Sequence, residues 1–322
     1  MSHHYPKRSQ LKYTRKLYRV RNWPEYETAL RNRGDLTLWF SEEAVLAWHA
    51  PSIAKPGGQQ IYSNLAIETA LTVRAIYGLG LRQTEGFLCS IATLLSLDIR
   101  IPDHSTLSRR SKHLDRLPVI TNDADGPVHI LVDSTGLKVY RGSHSGGQPR
   151  NRRSWRKLHL AVDLVSGEIL ASALTAHDIH DATPISDLLG RLATELASLT
   201  ADGAYDSRAV YDAVEKHPSE KSIRVIIPPR RNARLSTRRG PDTSHRDDTI
   251  RWIRGVGRRR WQKVSGYTRR SLIEAAISRY KRVTGQRLRS RTTLGQQTEI
   301  RIPCSILNRM TELGMPDGHR VT

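Results

Sequence analysis

The sequence predicts an α/β protein in which a helical segment, residues 22–120, precedes a mixed sheet with helices on both faces. Three observations carry this. Apolar residues recur at helical spacing up to about residue 117, short and nearly continuous apolar runs begin at Val128, and helix-start signals alternate with such runs from Pro184 onward. Runs joined by tight turns make antiparallel strands and runs separated by a helix make parallel ones, so the sheet must be mixed.

Residues 1–21 carry seven basic and no acidic side chains, with little apolar periodicity, and predict a basic arm that tracks phosphates. Trp23, Tyr26 and Leu30, then Val45, Leu46 and Trp48, mark short amphipathic helices. Over 64–78, Leu65, Thr69, Thr72 and Ile76 share one side, with Ala66, Ala70, Val73 and Tyr77 beside it. Gly78 and Gly80 break this helix, and Thr84 is expected to cap a second one that reaches Leu95. Asp103 is placed to cap a third, His104 to Leu114, which carries Ser105, Thr106, Ser108, Arg109, Arg110 and Lys112. Helix, break, helix and a capped basic helix predict a helix-turn-helix-like DNA-binding domain, with Arg109 and Arg110 as contacts. Any small helical bundle leaves the same trace.

Val128–Asp133 and Trp155–Asp163 are the first two predicted strands, and Ser166-Gly167 turns the chain into a third, Glu168–Leu174. Thr183-Pro184 starts a helix expected to run to Ala197, with Pro at the first helical position. Leu199–Asp202 is a fourth strand, Ser207–Lys216 a helix and Arg224–Pro228 a fifth strand. The segment from Arg230 to Lys263 holds twelve basic and three acidic residues, together with Trp252 and Trp261, and is expected to lie over a polyanion. A helix from about Tyr267 to Arg282 follows, and residues 291–322 read as a C-terminal tail.

Lys and Arg number 52 against 31 acidic residues, a formal charge of +21. Such an excess repels itself, and the usual compensation is a polyanion whose counterions each basic contact releases. No signal peptide is read, and the most apolar stretch, Leu65 to Leu81, is interrupted by Glu68 and Arg74. Nucleic acid is therefore expected in preference to a membrane. Two cysteines, Cys89 and Cys304, make neither a zinc site nor a disulfide framework and read as buried thiols of a reducing cytoplasm. Only two Phe occur, against a sheet of aromatic stacking platforms.

The chemistry concentrates in three acids. Asp133 and Asp202 each end an apolar strand, where open sheets present ligand sites. Carboxylates gathered there repel one another unless a cation joins them, and a few carboxylates with room for water and phosphate suit Mg2+ or Mn2+. A single Asp at a strand end is as readily a turn-former. Glu274 lies in Tyr267-x2-Arg270-x3-Glu274-x6-Lys281, and these four side chains fall within about 60° of one another on a helix. Leu272, Ala276 and Val283 are expected to form the packing stripe opposite. A second basic cluster, Arg150, Arg152, Arg153, Arg156 and Lys157, reads as a loop near Asp133. Asp163 has a hairpin turn after it and reads as structural, Asp206 as the cap of the next helix, and His177–Asp181 as a loop leading to Thr183.

The Tyr-x2-Arg-x3-Glu-x6-Lys spacing resembles the YREK signature of bacterial insertion-sequence transposases with a DDE site. Asp133-Ser-Thr-Gly136 and Ala201-Asp202-Gly-Ala-Tyr205-Asp206 look like the first two catalytic motifs of that group, and the acids stand 69 and 72 residues apart. Trp23-x2-Tyr26-x3-Leu30-x3-Gly34-x-Leu36 and Pro102–Thr106 look like the insertion-sequence family numbered five. The resemblance is strong over about 125–285 and looser over 20–115.

It implies an RNase H-like catalytic domain over 125–290, with 230–263 as a basic insertion. Two Mg2+ or Mn2+ ions would be held by Asp133, Asp202 and Glu274, for DNA cleavage at element ends and strand transfer into target DNA. Tyr267, Arg270 and Lys281 would grip the phosphate beside the cut, with Arg152 and Arg153 as further DNA contacts. Implied partners are terminal inverted repeats, target DNA and at least one further copy of the chain, in the bacterial cytoplasm. The alternatives are a metal-dependent nuclease that never joins strands and an inactive DNA-binding derivative.

Overall fold

A computed structural model describes residues 17–51, 58–114, 126–139, 155–192, 194–236 and 241–321. The chain there begins with β1 (Leu17–Val20), α1 (Trp23–Asn32), α2 (Leu36–Trp39), α3 (Glu42–Leu46), α4 (Asn64–Ile76), α5 (Leu81–Leu94) and α6 (His104–Arg110). A 3-10 turn, Ser111–His113, ends this part. Short polar side chains start the helices as their chemistry requires: Asp35, Ser41, Ser63 and Asp103 each accept a first-turn N–H. Helix α5 departs from expectation by starting three residues before Thr84. Gln83 Oε1 accepts the Gly80 N–H at 2.7 Å, and Thr84 Oγ1 donates back to the Gly80 carbonyl at 2.9 Å instead of capping. That rotation leaves Cys89 exposed, against the expectation that it is buried. Trp48, Ile67, Val73, Leu88 and Leu107 are wholly buried in this helical core.

The second part contains β2 (Val128–Val139), β3 (Trp155–Asp163), β4 (Ile169–Ala176), α7 (Ile185–Gly190), β5 (Leu196–Ala201), α8 (Arg208–Glu215) and β6 (Arg224–Ile226). Next come α9 (Pro241–Val256), α10 (Arg258–Val264), α11 (Ser271–Thr284), β7 (Arg287–Leu288), α12 (Thr293–Glu312) and β8 (Gly318–Val321). The main sheet has the order β4-β3-β2-β5-β6, with β7 beside the far end of β2. The β4-β3-β2 pairs are antiparallel, and β2-β5, β5-β6 and β2-β7 are parallel. This mixed sheet with helices on both sides is the predicted class and fits an RNase H-like arrangement. Helix α7 is shorter than predicted because Val128 N–H already bonds the Glu195 carbonyl at 2.8 Å. The chain must therefore be extended along β2 before Ala197.

Side chains alternate across a strand, so β2 feeds two cores. Val128, Ile130 and Val132 pack with α7 and α8, and Leu131 and Leu137 pack with α11 and α12. The stretch read as a tail supplies the largest correction. Helix α12 sets Ile300, Cys304 and Leu307 against the sheet and Ile302 and Ile306 into the N-terminal helical core. It thus joins both parts, and Asn308 on it bonds both the N–H and the carbonyl of Ile169, at 2.8 and 3.0 Å. Burial pushes the Cys304 thiol up to about 12, so this cysteine is the inert packing group that was expected. The last residues of the predicted arm, Leu17–Val20, pair with β8, so the chain ends meet in a small antiparallel sheet.

The basic segment after β6, for which no secondary structure is predicted from sequence, forms α9 and α10. Arg246 anchors it through Asp206 at 2.9 Å, and Arg258 donates to the Pro229 carbonyl at 2.6 Å. Asp206 is thereby a buried partner of α9 and not the helix cap it was read as; Ser207 stands at the N-cap of α8. Asp163 takes the hairpin role, accepting the Ser166 N–H at 2.7 Å. Among the described residues no helix is long and apolar enough to cross a membrane.

Candidate active site

Val132 on β2 pairs with Ala201 on the parallel β5, so Asp133 and Asp202 emerge side by side, one residue further along each strand. The alternation that buries Val132 and Ala201 toward α7 and α8 turns both aspartates to the α11 side. Asp133 takes the Ser134 N–H at 2.8 Å within β2, which runs on to Val139 and does not end at Asp133 as predicted, because β3 pairs with it that far; Asp202 takes the Ala204 N–H at 2.8 Å in the 3-10 turn after β5. Burial, with Asp202 close by, raises the Asp133 pKa above the ordinary carboxylate value. A cation at this strand edge relieves that strain.

The first such cation is a side chain. Arg270 donates to Asp133 Oδ2 at 2.8 Å and to Glu274 Oε1 at 2.6 Å, tying the strand end to the first turn of α11. The Asp133 side chain is 17 % exposed and that of Glu274 59 %, so the glutamate is the member at the rim, free to change rotamer. Tyr267–Arg270 form a 3-10 turn ahead of α11, and not the helix start expected at Tyr267. In a 3-10 turn residues three apart eclipse, which brings the Tyr267 hydroxyl and the Arg270 guanidinium within reach of each other. Burial raises the Tyr267 pKa, and Arg270 opposes the rise. Trp261 lies buried beneath, its ring 5.6 Å from that of Tyr267, so it is a packing anchor, while Trp252 is partly exposed.

The packing stripe of α11 is Ile273, Ala276 and Tyr280, with Val283 partly buried beside it; of the predicted Leu272, Ala276 and Val283, only Leu272 departs, being 47 % exposed. The β-sheet face carrying Leu131 and Leu137 decides that rotation. Glu274 and Lys281, seven residues apart on α11, share the flank beside the stripe.

Asp181 joins this neighbourhood from a loop with little functional signal in the sequence. Its carboxylate accepts Ser134 Oγ at 3.1 Å and pairs with Lys157 at 3.0 Å. The residue after Asp133 is therefore held by a third acid, and one lysine of the basic cluster is committed to it. Arg156 donates to Gln296 at 3.3 Å. Arg150, Arg152 and Arg153 lie outside the described residues. Arg109 is exposed on α6, whereas Arg110 donates to the Tyr62 carbonyl and to Asn64, at 3.0 and 2.6 Å.

The donors Asp133, Asp202 and Glu274 are all carboxylate oxygens, which suits a hard divalent cation, and the crowding at Asp133 is the kind such an ion offsets. Among the described residues no three ligand-type side chains stand together at coordination distance, because Arg270 lies on two of the three carboxylates.

A mixed sheet flanked by helices, with Asp133 on β2 beside the end of the parallel β5 and Glu274 on a later helix, fits an RNase H-like core. A family model described as a transposase DDE domain matches residues 124–309, and a second of the same description matches residues 31–142. The first match spans more than half of the 322 residues, and the chain belongs to the transposase DDE domain family. Among solved structures, the Drosophila P element transposase strand transfer complex is a distant neighbour. The two chains share 14 % identity at a TM-score of 0.32, over 64 % of this chain and 47 % of that one. This chain thus spans about half of that transposase's length.

Proposed function

We propose that the chain is an active insertion-sequence transposase of the YREK-signature group, in the family numbered five, which cuts DNA at the element's inverted repeats and joins the ends to target DNA. The observation that carries this reading is the in-register placement of Asp133 and Asp202 on neighbouring parallel strands, with Glu274 and Arg270 closing the same edge from α11. Asp133, Asp202 and Glu274 would hold Mg2+ or Mn2+, two ions per site. When bound, such ions activate the attacking oxygen and stabilise the leaving one in an in-line displacement at phosphorus. The residues of the chain do the positioning. Arg270 steadies the carboxylates and has further N–H groups to offer a phosphate, Tyr267 keeps its guanidinium in plane, and Lys281 adds a point charge along the same flank. The exposed basic face of α9 and α10 extends the surface for DNA, as do Arg152 and Arg153. Pairing two ends in one complex calls for at least a dimer.

The test is incubation of the purified chain with Mg2+, a duplex ending in the gene's flanking repeat, and a target plasmid. Nicking with end-joined products is the expected result. Cleavage without joined products marks a nuclease instead, and binding without cleavage marks an inactive derivative.

Two substitutions probe the DNA contacts. Lys281→Ala is expected to lower the slope of log affinity against log salt by about one unit while leaving the Mg2+ requirement unchanged. Full rescue by extra Mg2+ would show a metal-site defect and remove Lys281 from the phosphate grip. Arg109→Ala is expected to cost roughly 1–3 kcal/mol of binding and to flatten the preference at one base pair, if α6 is the recognition helix. Equal affinity of the unmodified protein for repeat and random duplex at physiological salt would refute that role. Whole protein is needed here, because Ile302 and Ile306 of α12 complete the N-terminal core. Arg110→Ala should instead lower stability, since its guanidinium ties α6 to the start of α4.

A further inference from the structure

A cavity of about 420 Å³ opens where α4, the turn after α6 and the start of α12 meet, away from the strand-end carboxylates. Arg74 reaches it from α4, Lys112 from the 3-10 turn, and Arg289 and Arg291 from the segment leading into α12. Glu299 is the one acid in its wall, and both its oxygens are taken by the backbone N–H groups of Arg289 and Ser290, each at 2.7 Å. Arg289 is pinned by the Gly78 and Leu79 carbonyls, at 3.2 and 2.7 Å, which orient the guanidinium without neutralising it. The Arg74 Nε is buried with no hydrogen-bond partner, and the Arg289 charge stands beside it.

This arrangement is costly for a protein alone. One buried N–H lacks an acceptor, and Arg74, Lys112, Arg289 and Arg291 surround a single carboxylate, so a positive excess remains with the Glu299 charge counted. An anion with several acceptor oxygens offsets that excess charge. The first turn of the 20-residue α12, capped by Thr292, points its positive end at the same space. A second cavity of about 250 Å³ has Arg74, Arg289 and Glu299 in its wall as well, together with Arg287 and the end of α11. Basic side chains from three segments, spread over neighbouring cavities, suit a chain of phosphates better than an isolated ion.

We infer that these cavities are a phosphate-binding site that takes the sugar-phosphate backbone of the bound DNA, separate from the catalytic edge and from the exposed face of α6. Only the assignment to DNA rests on the proposed function; the phosphate chemistry stands by itself.

Lys112 and Arg291 sit at the rim on different segments and are the residues to change. Lys112→Ala and Arg291→Ala should each reduce the salt slope of duplex binding by about one unit, and the double variant by about two. Arg309→Ala, which removes the same charge at the far end of α12, should leave the slope unchanged. In parallel, inorganic phosphate or pyrophosphate should raise the Tm of the unmodified protein with increasing concentration, and should do so much less for the double variant. Circular dichroism without ligand confirms that the variants fold. Unchanged slopes together with no phosphate-dependent Tm shift overturn the site. A Tm shift lost in the double variant with unchanged DNA slopes overturns the DNA assignment in favour of a free phosphate compound. If the unmodified protein binds no DNA at all, the proposed function fails, and the Tm comparison still decides whether the cavities take phosphate.

Discussion

Asp133→Asn, Asp202→Asn and Glu274→Gln are each expected to abolish cleavage of repeat-ended DNA in Mg2+ while duplex binding persists. Each swap keeps the shape of the side chain and removes the negative charge by which it would hold a divalent ion. The expected loss is at least on the order of 10³-fold, the scale of removing one preorganised charge-stabilising group from an active site. Asp133 should be more sensitive than Glu274, because its side chain is the more enclosed of the two. Asp163→Asn is the matched control: that aspartate also ends a strand, but it is spent on the Ser166 N–H of a hairpin, and the variant should cut normally. Cleavage assays with filter or gel-shift binding on the same preparations decide the matter. Near-normal cutting by Glu274→Gln would remove α11 from the catalytic site.

Arg246→Ala is expected to lower the free energy of unfolding by about 3–5 kcal/mol, the range for stripping one member from a buried ion pair. Asp206 has a side chain 1 % exposed, and Arg246 pairs with it at 2.9 Å while also donating to the Arg234 carbonyl. Without the guanidinium a carboxylate stays buried with only the Tyr211 hydroxyl for company, 3.2 Å away. The same loop would lose its hold on α9. Arg251→Ala provides the contrast, since its pair with Asp248 is exposed on both sides and should change stability by no more than about 0.5 kcal/mol. Urea denaturation monitored by tryptophan fluorescence measures both. Equal midpoints for the two variants would show that Asp206 is not the anchor of the basic helices.

Much of this architecture was readable because it rests on local physics. Asp103 caps α6 through the N–H groups of Ser105 and Thr106, and a carboxylate at that position has little else to do. The apolar runs ending at Asp133 and Asp202 are strands wherever the chain buries them. Long-range choices were not readable in the same way. Thr84 looked like a cap and is not one, because α5 already starts at Leu81, with Gln83 folding back onto the Gly80 N–H, so Thr84 lies inside the first turns and donates to the Gly80 carbonyl. Asp206 looked like a cap because its partner, Arg246, is 40 residues away on a helix that the sequence disguises with charge. Residues 291–322 looked like a tail because α12 is apolar on two faces, toward two different cores, and so shows no single stripe.

By itself, then, the sequence determined the class of the sheet and the order of most of its elements. These follow from period, composition and spacing, which are properties of neighbours along the chain. Only the tertiary structure decided which face of α11 is buried, that Arg270 lies on Asp133 and Glu274, that Asp181 holds Ser134, and that α12 binds the two parts together. Each of those depends on strand register and helix rotation, which are set by what packs across the sheet and leave no mark in local sequence.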